Sequence, residues 1–67
     1  MNIAGEKDGR LAVSIGSRQY VVLDPATNRV SRPMDEREVD LSSFAPTDNS
    51  LARRRQVERQ LERATLG

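Results

Sequence analysis

The 67-residue sequence predicts an α+β fold, with an antiparallel meander of three or four strands over about residues 10–42 and one amphipathic C-terminal helix over about residues 50–65. Three observations carry this. Two runs rich in branched residues, Arg10 to Ile15 and Arg18 to Leu23, flank a Gly-Ser pair. A second turn signal, Asp24-Pro25-Ala26-Thr27-Asn28, follows at once. Finally, a long stretch free of glycine and proline begins after Thr47-Asp48-Asn49-Ser50, four residues that all suit a helix N-cap.

The polar residues 1–9, with Gly5 and Gly9, read as a loose N-terminal arm of a single small domain spanning 1–67. Strand signals start at Arg10. Gly16-Ser17 supplies a Gly-first, two-residue type II′ turn. With Ile15 opposite Arg18, Val13 faces Tyr20 and Leu11 faces Val22, so Leu11, Val13, Ile15, Tyr20 and Val22 form the expected core face. Val21 and Leu23 then lie on the other face, which makes both faces sticky.

In the second turn Asp24 accepts backbone hydrogen bonds, Pro25 presets φ, and Asn28 tolerates left-handed φ before a third strand, Arg29 to Arg32. The string Val21 to Val30 resembles a hairpin of the YVTN-type β-propeller repeats. The likeness covers ten residues in one copy, whereas a propeller needs several blades, so it implies shared turn chemistry only. Pro33 ends the third strand. Val39 and Leu41 alternate with Asp40 and Ser42, which predicts a short fourth strand over Glu38 to Ser42. Phe44, before Ala45-Pro46, is the expected plug between sheet and helix. On the helix, Val57, Leu61 and Ala64 recur at i, i+4, i+7 and form a narrow apolar stripe.

Composition excludes much chemistry. Cysteine and histidine are absent, which removes disulfides, thiolate and imidazole metal sites, cysteine nucleophiles and histidine bases. The carboxylates Asp35, Glu36, Glu38 and Asp40 lack calcium-loop spacing, and no cofactor motif is present. A chain this short does not readily wall a substrate pocket, so the expectation is a protein that is not an enzyme. No apolar run approaches the ~20 residues of a membrane span, and the cysteine-free composition suits the cytoplasm. With two aromatics and 36% apolar residues the core is thin, and ordering costs about 100 kcal/mol at roughly 1.5 per residue, so a homodimer or bound partner is expected.

Charge is segregated. Net charge is +2 over residues 1–34, −4 over 35–50 and +3 over 51–67, for +1 in total. Arg53, Arg54, Arg55, Arg59 and Arg63 crowd the terminal helix, and the first three fall in its opening turn, where the helix dipole disfavours cations. Glu58 and Glu62 stand at i+3 from Arg55 and Arg59, and the acidic segment lies close in sequence, so internal pairing competes with an external partner. The strands hold one aromatic, too few for base stacking. The leading expectation is a small protein-interaction module, an adaptor, assembly factor or inhibitor of a larger complex of the kind common in bacteria and phage. It would bind through Arg53, Arg54, Arg55, Arg59, Arg63, Val57 and Leu61. The alternatives are a nucleic-acid-binding accessory protein using the same arginines, or a structural subunit of a particle or secretion assembly.

Overall fold

A computed structural model describes all residues, 1–67, and has an antiparallel-rich sheet followed by one C-terminal helix, an α+β fold. The strands are β1 (Asn2–Lys7), β2 (Arg10–Gly16), β3 (Gln19–Asp24), β4 (Arg29–Val30), β5 (Met34–Asp35) and β6 (Thr65–Leu66), and the helix α1 is Leu51–Arg63. The sheet runs β1-β2-β3-β4-β6, with β5 also paired to β3.

Residues 1–9 are not a loose arm. Asn2–Lys7 forms the edge strand β1, joined to β2 by Asp8-Gly9, whose φ values of 51° and 79° are the left-handed pair of a type I′ turn. The outer edge of β1 is covered as well. Glu6 and Ala45 exchange main-chain hydrogen bonds of 2.8 Å, and Asn49 Oδ1 accepts from Ile3 N at 3.0 Å. Such cover blocks pairing with other chains along that edge.

The β2–β3 register differs from the expected one by a residue. Leu11 faces Leu23 and Val13 faces Val21, the two-residue loop is Ser17-Arg18 with Arg18 at φ 60°, and Ile15 is the extra residue of a bulge. Sheet geometry makes this slip decisive, because it exchanges the two faces of β3. Leu11, Val13, Val21 and Leu23 now share one face with Ile3, and this set with Val57 is the core cluster. Tyr20 and Val22 move to the other face, and Ile15 is 43% exposed. Burial of four branched side chains together outweighs the cost of a left-handed arginine in the turn.

The second hairpin follows its turn chemistry. Asp24 Oδ1 accepts from Ala26 N at 3.1 Å, Asn28 has φ 56°, and β4 begins at Arg29. Beyond Val30 the ladder is continued by Ser31, whose N donates to Val22 O at 2.9 Å while its Oγ accepts from Val22 N at 2.8 Å. The fourth strand is β5 at Met34–Asp35, not Glu38 to Ser42. Val39 is buried, and Leu41–Ser43 is a 3₁₀ turn in which Ser43 Oγ donates to the Asp40 carbonyl at 2.7 Å. Serine and aspartate side chains compete here with a strand ladder.

The sheet is covered on both faces. Val57 of α1 is fully buried on the Leu11/Leu23 face, with Leu61, Ala64 and Val30 packed against it in part. On the opposite face, Phe44 and Ala45 lie so close over Gly5 that a Cβ there would stand 2.8 Å from Ala45 O and Phe44 Cβ. Phe44 is therefore not between sheet and helix; it packs on Gly5, on the side away from α1. The helix ends at Arg63, short of residue 65, because Thr65–Leu66 adds to the sheet parallel to β4. Thr65 N donates to Asn28 O at 3.0 Å and Gly67 N to Val30 O at 3.1 Å. No helix is long and apolar enough to cross a membrane.

Candidate functional site

Helix α1 starts at Ser50, whose Oγ accepts from Arg53 N at 3.2 Å, and Asp48 Oδ1 in turn accepts from Ser50 N at 2.9 Å. From this start the sequence fixes which way each side chain points. At 3.6 residues per turn, Arg55 and Arg59 lie about 160° around the helix from Val57, and Arg63 about 120°. Docking Val57 on the sheet therefore turns Arg55, Arg59 and Arg63 outward, and all three are exposed. Val57 is enclosed and Leu61 half-buried, so the apolar stripe belongs to the core of this chain.

The first-turn arginines have local acceptors. Arg53 Nη1 donates to Gln56 Oε1 at 3.0 Å, and Arg54 Nε to the Asn49 carbonyl at 3.1 Å. Each answers part of the dipole cost with a nearby oxygen. No such partner exists for Arg55, Arg59 or Arg63, which make no side-chain hydrogen bond and no ion pair. Glu58 and Glu62 stay unpaired too, contrary to the i, i+3 pairing expected from their spacing. Nor does any carboxylate of the acidic segment pair with a helix arginine; Asp48 bonds only to Ser50 at the helix start. Asp35, Glu36 and Glu38 lie within 3.3–4.0 Å of Arg37, Arg18 and Arg32, and Arg10 faces Asp24 at 3.9 Å. The physical cause is β5. Its pairing to β3, with Glu36 N donating to Arg18 O at 3.0 Å, places the acidic residues beside the β2–β3 turn.

A shallow groove of about 450 Å³ runs between α1 and the β3–β4 loop, lined by Asn28, Gln56, Arg59, Gln60 and Arg63 with no apolar side chain. Two hydrogen bonds fix its walls. Gln60 Nε2 donates to the Pro25 carbonyl and Asn28 Nδ2 to the Arg63 carbonyl, both at 3.0 Å. The second satisfies a carbonyl that a helix C-terminus otherwise leaves free. Asn28 Oδ1 is buried without a partner.

No family model, curated protein or solved structure matches this chain. What the groove can do is therefore read from its own groups. Its donors are the Arg59 and Arg63 guanidiniums and the Gln56 amide, since the Asn28 and Gln60 amides already donate to Arg63 O and Pro25 O, and it has no carboxylate, hydroxyl or thiol, a set that suits anion binding. Arg59 and Arg63 are the arginines expected from the sequence. Asn28, Gln56 and Gln60 are additions. Gln56 and Gln60 were legible as an i, i+4 pair beside Arg59, and Asn28 as the left-handed residue of its turn; that the turn lies under the helix end was not.

Proposed function

We propose that this chain is a non-enzymatic, cytoplasmic interaction module that docks its Arg55/Arg59/Arg63 face on an acidic surface of a larger protein, as an adaptor, assembly factor or inhibitor. The reading rests on one observation: the fold pairs Arg10, Arg18, Arg32 and Arg37 with carboxylates, and among the arginines left without one, Arg29 included, Arg55, Arg59 and Arg63 line one exposed helix face. Exposed ion pairs contribute only ~0–1 kcal/mol each, so such a face acts through several contacts and through electrostatic steering of encounter. A partner other than a second copy is favoured, because both sheet faces, whose stickiness motivated a homodimer, are covered within the chain by α1 and by residues 39–45. Nucleic acid is disfavoured by the acidic segment and by a lone, half-buried strand aromatic, Tyr20.

Fluorescence anisotropy with labelled poly-glutamate and with duplex DNA, between about 50 and 200 mM salt, separates these readings. Poly-glutamate is expected to bind the wild type at low salt. Arg55→Glu/Arg59→Glu should weaken it by at least about tenfold, a loss of ~1.4 kcal/mol or more, while Arg18→Gln/Arg32→Gln leaves it unchanged. Equal binding by wild type and Arg55→Glu/Arg59→Glu would sink the assignment of the face. Binding of duplex DNA with no binding of poly-glutamate would transfer it to the nucleic-acid reading.

A further inference from the structure

Within that face, and resting on the reading of it as a protein-docking surface, we infer that the groove between α1 and the β3–β4 loop is a seat for a phosphate monoester carried by the partner, as on a phosphorylated serine. Charge matching leads to this ligand. Arg59 and Arg63 bring two positive charges to the groove, and no carboxylate lines it; Glu58 lies in the neighbouring recess with Arg55 and Arg59. A carboxylate returns one negative charge and two oxygens. A phosphate monoester carries about −1.5 to −2 and three acceptor oxygens. That balances both guanidiniums and leaves an oxygen for the Gln56 amide, whose Nε2 is free because Arg53 uses its Oε1. A phosphodiester has one charge per phosphate and matches less well.

The groove is built before any ligand arrives. Gln60 is held to Pro25 O and Asn28 to Arg63 O, each at 3.0 Å, so the helix end cannot swing away from the loop without breaking both bonds. Asn28 occupies a left-handed φ of 56° in a loop whose first turn is closed by Asp24, so the loop side is fixed as well. Pre-set geometry lowers the ordering cost of binding. The arginine spacing of i, i+4 sets the two backbone positions about 6 Å apart along the axis, and side chains of this length can bring both guanidinium groups to one tetrahedral group.

The test is a titration followed by the side-chain NMR signals of Asn28, Gln56, Gln60, Arg59 and Arg63. Its probes are inorganic phosphate, a phosphoserine peptide, the unphosphorylated peptide and the version with glutamate at that position. The phosphopeptide and inorganic phosphate are expected to shift these five residues saturably. The phosphopeptide should bind at least about tenfold tighter than either other peptide, a difference of ~1.4 kcal/mol. Arg59→Gln/Arg63→Gln should remove that preference; Arg55→Gln should keep it. The inference is overturned if the glutamate peptide binds as tightly as the phosphopeptide, or if shifts spread evenly over Arg10, Arg18 and Arg29. It also fails if Arg59→Gln/Arg63→Gln leaves the preference intact. The broader reading fails separately: phosphate seated in the groove with no poly-glutamate binding would retain the seat and remove the acidic docking surface.

Discussion

Replacing Val57 with aspartate is expected to unfold the domain. Val57 is the one helix residue fully enclosed, and it contacts the same cluster as Ile3, Leu11, Val13, Val21 and Leu23. The substitution forfeits ~1.5–3 kcal/mol of apolar burial and adds several kcal/mol for a carboxylate in an apolar site with no cationic partner. A chain of this length has a total stability of about 3–10 kcal/mol, so the sum takes most or all of it. Because the helix is the only cover over that sheet face, helix and sheet should be lost together. Far-UV circular dichroism should show a disordered chain at 25 °C and no cooperative urea transition. An aspartate variant that still unfolds cooperatively with native helix content would mean that α1 is not docked through Val57.

The second large effect is expected at Gly5. A Cβ at this position would stand 2.8 Å from a main-chain oxygen, Ala45 O, and from Phe44 Cβ, and backbone cannot yield as a side-chain tip can. Gly5→Val must therefore push the Phe44-Ala45 segment off β1 and break the two 2.8 Å hydrogen bonds between Glu6 and Ala45. Overpacking of this kind costs ~1–3 kcal/mol. Loss of the edge pairing adds ~1 kcal/mol. At about 4–8 °C per kcal/mol for a domain of this size, the midpoint should fall by at least about 8 °C. Gly9→Ala provides the contrast, since nothing lies within 4 Å of its Cβ and only its φ of 79° opposes substitution. A Gly5→Val protein with wild-type thermal stability and protected Glu6 and Ala45 amides would show that the segment does not lie on Gly5.

Local chemistry made much of this fold legible. The Asp24-to-Asn28 turn, the Ser50 cap and the Val57, Leu61, Ala64 stripe follow from side chains acting on their own neighbours, and each formed as its residues dictate. The Asp8-Gly9 hairpin was just as local. Its dipeptide is a strong type I′ signal, outweighed in the reading by the polar character of residues 1–9. What sequence could not give was set at long range. The β2–β3 register was decided by which face of β3 met Val57, not by the Gly16-Ser17 turn. The strand at Thr65–Leu66 exists because Asn28 and Val30 offer carbonyls to it, 35 or more residues away in the chain.

The candidate site divides in the same way. The helix arginines and their spacing were readable directly. Their lack of partners was not, since it depends on β5 drawing Asp35, Glu36 and Glu38 to the sheet side. Spacing alone offered Arg55 to Glu58 and Arg59 to Glu62, pairs that stabilise exposed helices by only ~0.2–0.5 kcal/mol and are easily forgone. The early concentration of charge at Arg53, Arg54 and Arg55 also resolves into two roles. Arg53 and Arg54 bond to Gln56 and Asn49, whereas Arg55 joins Arg59 and Arg63 on the outer face.

On the proposed reading, Arg55, Arg59 and Arg63 serve something outside this chain and nothing within it. Urea unfolding of the isolated protein, comparing wild type with Arg55→Gln/Arg59→Gln/Arg63→Gln, tests it most directly. Substitutions at exposed positions without partners change stability by no more than ~0.5 kcal/mol each, and removing like charges on one helix face offsets part of any loss. The two free energies of unfolding are expected to agree within about 1 kcal/mol, with unchanged m-values. A loss of more than about 2 kcal/mol in the triple variant would instead place these arginines in internal ion pairs.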